Sequence, residues 1–392
     1  MAEGNGIHTT GTADIGAKAE TANQSGRTDR HNLPDRHDRH DSAAGRDEPQ
    51  PGLDLGALTS YLERERPGMI AGTLRAKLIA GGRSNLTYFL SDGDETWVLR
   101  RPPLGHILAT AHDMAREYRV TSALSDTDVP VAKPLLLCQD PGVLGAPFYV
   151  MDRVDGQVLR DYTQAMAIGA DAIPALSYRL VEVLGRLHAT DPAAVGLSDF
   201  GRPEGFLERQ IRRWTKQLDA SRSRDVPGID ALAHRLSAAL PISQRVAIVH
   251  GDYRLDNAIV GPRKDGSWDV AAVVDWEMST LGDPLTDIGL FCVYWAATGS
   301  HSLVPIGPAA DAREPFPPSR ELVAKYAETS GLDMQSLPWY VAFGSFKLAV
   351  ILEGIHYRHT LGKTVGEGFS GIGELVHPLV GRGLASLDEA RI

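Results

Sequence analysis

The octapeptide HGDYRLDN, residues 250–257, constrains the fold more than any other stretch of the chain. Two carboxylates, an arginine and a carboxamide follow directly on the apolar run RVAIV. A second β-prone run, NAIVG, leaves the octapeptide, and a third, WDVAAVVDW, returns after an Asp265-Gly266 turn. That order predicts a hairpin with a polar loop at one end. Asp252 and Asn257 then stand at the two ends of the loop, and Asp275 comes back beside them where the paired strand ends. Such a cluster is a polar turn, a metal-ligand loop or a catalytic loop, and the rest of the chain has to decide.

The three side chains match what phosphoryl transfer from a nucleotide requires. One carboxylate takes the proton of the attacking hydroxyl, and an oxygen-donor pair holds the Mg²⁺ that neutralises the phosphates. Asp252 suits the first role, Asn257 and Asp275 the second. Arg254 is placed to contact the transferring phosphate. Upstream, NLTYFL and TWVLR flank an Asp92-Gly93 turn and predict another hairpin. AGGRSN precedes it, a Gly-containing turn whose backbone N–H groups suit phosphates. Gly81, Gly82, Ser84 and Asn85 are therefore candidates to cover them. Arg100 ends the second strand. Glu117 lies on a helix within AHDMAREYRVTSAL, where Ala111, Met114, Ala115 and Tyr118 keep i, i+3, i+4, i+7 spacing. Arg100 and Glu117 are expected to pair.

This order gives a small α+β unit over 53–153 and a mostly helical unit over 154–392. In the latter, YRLVEVLGRLHATDP places Leu180, Val183, Leu184, Leu187 and His188 on one helix face. Residues 1–52 differ in kind: without an aromatic residue and with few large aliphatics, they cannot bury enough apolar surface to offset ordering entropy, so a disordered tail is expected. Its His31, His37 and His40 read as solvated rather than metal-binding. The formal charge of −10 and a pI of about 5.7 argue against a nucleic-acid-binding role. Cys138 and Cys292 form neither a disulfide framework nor a zinc knuckle and fit a reducing cytoplasm. No secretory signal is visible, and apolar stretches such as LFCVYWAA fall short of the roughly 20 residues of a membrane helix. A cytoplasmic protein without a membrane partner is expected; the oligomeric state is not readable.

Taken together, His250-Gly251-Asp252, Asn257 and Asp275-Trp276-Glu277 resemble the H-G-D-x4-N and (I/V)-D-W-E pattern of the aminoglycoside phosphotransferase family, within the protein-kinase-like superfamily. VLGRLHATDP and LGDPLTDIG are similar to two further motifs of that family. GGRSNLTY, WVLRRPP, HDMAREYRV and FKLAVILEGIHYRH are most similar to a subgroup also found fused to acyl-CoA dehydrogenases. The resemblance spans about residues 70–360. It implies an α+β, two-lobed protein-kinase-like fold with a small antiparallel-sheet N-lobe and a helical C-lobe, ATP in the cleft, and a backbone hinge for adenine near Asp152 to Val154. Two departures stand out: the expected strand lysine is Arg100, and DWE replaces the protein-kinase DFG.

Other polar residues read more plainly. His250 is expected to fix its loop by hydrogen bonds, and His188 to be a satisfied core histidine. Asp283 and Asp287 are expected at a helix start, bonding backbone around the loop. Glu277 stays ambiguous. His356 and His359, three apart on a helix, lack a third zinc ligand. In GFLERQIRRWTKQL, Arg209, Arg212, Arg213 and Lys216 follow i, i+3, i+4, i+7 spacing and make one helix face basic. That face is either a solvated surface or a wall favouring an anionic acceptor. The Gly/Pro-rich stretch 297–319 is either a lid or a long surface insertion.

The expectation is an ATP- and Mg²⁺-dependent phosphotransferase acting on a small-molecule hydroxyl, with a hydroxyacyl-CoA or hydroxy acid leading among acceptors. An aminoglycoside- or macrolide-type antibiotic kinase and a nucleotide-binding pseudokinase are the rivals.

Overall fold

The computed structural model describes residues 50–79, 85–104, 113–296, 314–363, 369 and 371–392. Gly81, Gly82, Ser84, most of the 297–319 stretch and all but the end of the N-terminal tail lie outside the described residues. Pro49–Ile392 form one unit.

Asp54 caps helix α1 (Leu55–Glu65), accepting from the Ala57 amide at 2.9 Å. Strands β1 (Arg75–Leu78), β2 (Leu86–Ser91) and β3 (Thr96–Arg101) follow as an antiparallel meander. Asp92 makes the predicted hairpin turn: Oδ1 accepts from the amides of Asp94 and Glu95 at 3.1 and 2.9 Å, and Oδ2 from Ala71 at 2.8 Å. These backbone donors hold its carboxyl down to about 2. Helix α2 (Met114–Leu124) starts from an Asp113 cap. Then come β4 (Pro134–Cys138), the short α3 (Pro141–Leu144) and β5 (Phe148–Asp152). The sheet order is β1-β2-β3-β5-β4, so β5 inserts beside β3.

Side-chain alternation divides this sheet. Tyr88, Leu90, Leu99, Phe148 and Val150 face a core shared with Leu58, Tyr61 and Leu62 of α1. Their neighbours Arg100 and Tyr149 point the other way, toward α2, and both bond Glu117 there. The apolar face builds the layer and the opposite face supplies the site.

The sequence boundary at 153/154 falls in the connection from β5 to β6 (Gln157–Val158), which pairs not with the first sheet but with β8. Helices α4 (Tyr162–Ala167), α5 (Ala172–Ala189), α6 (Phe206–Ser221) and α7 (Ile229–Ala238) follow. The polar octapeptide lies between β7 (Ala247–Val249) and β8 (Ala258–Pro262). β8 and β9 (Trp268–Val273) form the predicted hairpin around Asp265-Gly266. β10 (Thr280–Gly282) returns antiparallel to β7. Helices α8 (Leu285–Trp295), α9 (Ser319–Ser330), α10 (Leu337–Thr360) and α11 (Val376–Glu389) complete the chain.

Helix α10 is buried nearly all round from Trp339 to Gly354 and is the spine of the helical part. It meets α8 at two glycines: a Cβ on Gly289 would stand 2.5 Å from the Tyr340 carbonyl oxygen, and one on Gly344 2.9 Å from the Leu290 Cα. That contact fixes the start of α8, with Asp287, against the N-terminal third of α10. Among the described residues no helix is long and apolar enough to cross a membrane.

Candidate active site

β7 is wholly buried and delivers His250 and Gly251 to the edge of the core. Asp287, in the first turn of α8, accepts from the His250 amide at 2.6 Å through Oδ2 and from the Gly251 amide at 2.8 Å through Oδ1. His188 stands 3.2 Å from the same Oδ2, and its other ring nitrogen is 2.7 Å from the Tyr326 hydroxyl. Burial alone would raise the Asp287 carboxyl, but His188, His250 and these hydrogen bonds hold it below the usual range. Asp287 is therefore an ionised, structural clamp on the loop. Asp283 instead ties the start of α8 to α10, accepting from the Leu285 amide at 3.0 Å and the Tyr340 hydroxyl at 2.7 Å. His250 bonds as expected: Nε2 lies 3.0 Å from the Val274 carbonyl oxygen, and Nδ1 accepts from the Asp252 amide at 3.2 Å.

Asp252 presents an oriented carboxylate. Oδ1 accepts from the Tyr294 hydroxyl at 2.7 Å, and Oδ2 from Asn257 Nδ2 at 3.1 Å. Burial and the charge of Asp252 push the Tyr294 hydroxyl well above its ordinary pKa, so it remains a donor. Tyr294 belongs to the apolar run LFCVYWAA, and only the polarity of a buried tyrosine hints at its partner. Arg254 turns beside this carboxylate rather than away from it. Its Nε is 3.7 Å from Asp252 Oδ2, its terminal nitrogen is 2.7 Å from Asp256, and its guanidinium lies 5.0 Å from the Tyr294 ring. Burial raises the Asp256 carboxyl to about 7, against the pull of Arg254.

Asn257 Nδ2 also donates to the Asp252 carbonyl oxygen at 2.8 Å, which leaves Oδ1 for another partner. The Val274 amide donates to the Asn257 carbonyl oxygen at 2.9 Å, so the hairpin itself brings Asp275 next to the loop. Asp275 is a non-glycine residue in the left-handed region, with φ 67 and ψ 56. Such backbone costs about 1–3 kcal/mol and persists where the surroundings impose it. Two hard oxygen donors that leave the remaining positions to phosphates and water are what Mg²⁺ takes from protein. The residues present therefore fit that ion.

Arg100 reaches across from β3. Its Nε is 2.9 Å from Glu117 and its terminal nitrogen 2.5 Å from Asp275 Oδ1. The expected Arg100–Glu117 pair is present, and the planar fork meets a second carboxylate that a single ammonium would have to share. Asn85 is placed differently from the expectation. Its amide nitrogen is buried against Glu117 at 3.2 Å and Glu277 at 3.4 Å. Burial raises the Glu277 carboxyl to about 7, with Asp275 adding to it. Asp152 ends β5 with its amide donating to the Lys133 carbonyl oxygen at 2.9 Å, and Val154 lies in the connection beyond.

Below the loop opens a cavity of about 620 Å³. Its lining includes Gly251 and Met278, the five cations Arg116, Arg202, Arg209, Arg213 and Lys347, and the three carboxylates Asp113, Glu277 and Asp287. The predicted basic face is split between two recesses. Arg209 and Arg213 face this cavity, whereas Arg212 and Lys216 line a separate groove with Glu208 and Asp219. Residues i and i+4 share a row on a helix, and the two rows straddle the ridge of α6. Arg116, Arg202 and Lys347 escaped the sequence because they come from three elements far apart in the chain.

Comparison with known proteins gives the family and the fold. The profile of the APH phosphotransferase enzyme family matches residues 75–322. Acyl-CoA dehydrogenase family member 11 of Mus musculus is 34% identical over 342 residues, 86% of this chain and 43% of that protein. The chain thus spans less than half the length of the curated relatives it matches. A crystal structure from Ralstonia eutropha, provisionally described as an aminoglycoside phosphotransferase, is 33% identical with a TM-score of 0.70, covering 86% of this chain and 98% of that one. Choline kinase from Cryptosporidium parvum, at 13% identity and a TM-score of 0.57, covers 86% of this chain and 96% of its own and shares the fold.

Proposed function

Because the chain belongs to the APH phosphotransferase enzyme family, we propose that it transfers a phosphoryl group from ATP to a hydroxyl of a small anionic molecule. The observation that carries this reading is the Asp252 carboxylate. It is held by Tyr294 and Asn257, set beside Asp275, and follows a residue that lines a cationic cavity.

Asp252 acts as the general base, accepting the hydroxyl proton as that oxygen bonds to the γ-phosphorus and the bond to the departing ADP breaks. Asn257 and Asp275 would hold Mg²⁺. ATP would supply the phosphoryl group, and the ion would offset the charge of its phosphates. Arg100, oriented by Glu117, meets the phosphates, and Arg254 stabilises developing charge from the flank of Asp252. Gly81, Gly82 and Ser84 cover the phosphates. The backbone from Asp152 to Val154 receives adenine.

Arg209 and Arg213, joined by Arg116, Arg202 and Lys347, form the acceptor wall. That charge favours a hydroxy acid or hydroxyacyl-CoA and opposes a polycationic aminoglycoside. The likeness to acyl-CoA dehydrogenase family members supports the same acceptor class. The buried cysteines Cys138 and Cys292 are not joined in a disulfide and suit a reducing cytoplasm.

Phosphoryl transfer from Mg-ATP to hydroxyacyl-CoAs, hydroxy acids, aminoglycosides and macrolides, followed by ³¹P NMR, tests this. A phosphorylated hydroxyacyl or hydroxy acid product is expected. Asp252→Asn should lower the rate by about 10²–10⁴-fold, the usual worth of a general base, while ATP still binds. Equal loss of ATP binding would contradict the role of Asp252. ATP binding without transfer to any acceptor would favour a pseudokinase.

A further inference from the structure

Lys347 sits in the middle of α10 between the buried Phe346 and Leu348, and is itself 8% exposed. An ammonium in such a place costs stability that an apolar side chain would not. Burial pushes its pKa down, with Asp252 and Asp287 pulling the other way and Arg213 adding to the depression. Nζ donates to the Gly251 carbonyl oxygen at 2.5 Å. Since the Gly251 amide donates to Asp287, this residue is held at both its N–H and its C=O immediately before Asp252. Its φ of 86 is left-handed, and a Cβ there would stand 2.8 Å from Met278, so nothing larger fits in its place.

The ammonium also faces the cavity. Lys347 Nζ lies 5.5 Å from the Trp214 ring centroid and the Arg213 guanidinium 5.4 Å from the same centroid. Both residues line the cavity beneath the loop. Among the described residues neither cation is paired with a carboxylate, and Lys347 uses one of its three donors. Two cations beside one indole repel each other, and an anion bound at both relieves that repulsion.

We propose that Lys347 and Arg213 seat the anionic group of the acceptor, and that Lys347 is a positioning residue through which the seated anion sets the Gly251–Asp252 peptide for proton abstraction. The seat takes a phosphate or a carboxylate. Its second half rests on the preceding reading, in which Asp252 is the base. Seat and loop are then energetically coupled: whatever stabilises the charged ammonium also stabilises its bond to Gly251.

The test uses the full chain and Trp214 as the reporter. Intrinsic fluorescence is titrated with inorganic pyrophosphate and, separately, with succinate, which tells a phosphate seat from a carboxylate seat. Trp214→Phe serves as the blank. At least one anion should titrate the wild type, and the response should vanish in Trp214→Phe. Lys347→Met and Arg213→Met should each weaken apparent affinity about tenfold, the worth of one charge-assisted hydrogen bond, while Lys347→Arg stays within about threefold.

In transfer assays Lys347→Met should lower kcat about tenfold or more at unchanged KM for ATP, with Lys347→Arg restoring most of it; Arg213→Met should raise the acceptor KM and leave kcat. The seat is overturned if no anion titrates the wild type or if Lys347→Met binds as well as wild type. Equal loss of thermal stability and response in Lys347→Met and Lys347→Arg would reduce Lys347 to packing. A wild type that binds the anion but transfers to no acceptor keeps the seat, and removes both the positioning role and the base role of Asp252.

Discussion

The catalytic loop and the wall of the cavity below it are built on opposite terms. In the loop, polar groups are bonded to fixed partners: Asp252 by Tyr294 and Asn257, Gly251 by Asp287 and Lys347. On the wall the cations are of two kinds: Arg116, Arg209 and Lys347 are bonded to backbone carbonyl oxygens, whereas the Arg202 side chain has no hydrogen bond among the described residues and Arg213 has only the Trp214 ring. Chemistry that is the same for every acceptor gains from donors and acceptors already in place. A surface that recognises one acceptor must keep its donors for that acceptor. The loop is thus organised in advance, while the wall keeps two of its cations, Arg202 and Arg213, open to its ligand.

The contrast is broken most severely at Asp287. Asp287→Ala leaves the His250 and Gly251 amides and the His188 ring without their acceptor, and should cost about 3 kcal/mol of stability in denaturant unfolding. Transfer should fall with it, since the loop loses its clamp. A milder cut at the same place is Tyr294→Phe, which frees one oxygen of Asp252. It should reduce kcat roughly tenfold at nearly constant acceptor KM, measured in steady state.

On the open wall the signature inverts. Arg202→Met should raise KM for an anionic acceptor about fivefold, keep kcat, and change unfolding stability by less than about 0.5 kcal/mol.

Asp92, far from both regions, supplies a pH reference. Its folded carboxyl lies at about 2 because backbone amides donate to it, against about 3.9 unfolded. A group depressed on folding stabilises fully above its unfolded value. The stability gap between wild type and Asp92→Ala should therefore be constant above about pH 4 and close as pH falls toward 2, read by thermal unfolding. The smallest effect belongs to Arg212→Ala and Lys216→Ala, which face the other recess and should leave acceptor KM within about twofold.

What the sequence discloses follows from how local each feature is. Asp252, Asn257 and Asp275 were legible because one loop and one hairpin bring them together. Arg100 and Glu117 were legible because strand alternation and one helix turn aim them at each other. The basic face was only half legible. Spacing on α6 put four cations together, but the direction of the helix ridge decides which two meet the loop, and neighbouring elements fix that direction. Tyr294 and Lys347 were hidden inside apolar runs, LFCVYWAA and FKLAV, that read as core. A lone lysine in a helix buried on all sides was the available signal, since lysine is almost never fully buried without a partner. Asn85 was assigned from the Gly turn beside it; its actual partners, Glu117 and Glu277, are 32 and 192 positions away.

Arg100 meets Glu117 through one nitrogen and Asp275 through another, the second across 175 positions of chain. Its two contacts make three sites one unit of inheritance. A lysine restored at 100 has a single ammonium to offer two carboxylates, and a neutral residue at 117 frees the arginine to pull harder on 275. Substitutions at these sites should be strongly non-additive, so the fitness of each depends on which residues already stand at the other two. A lineage that carries arginine here is thereby restricted in what it can accept at 117 and 275, and a path back to lysine passes through all three.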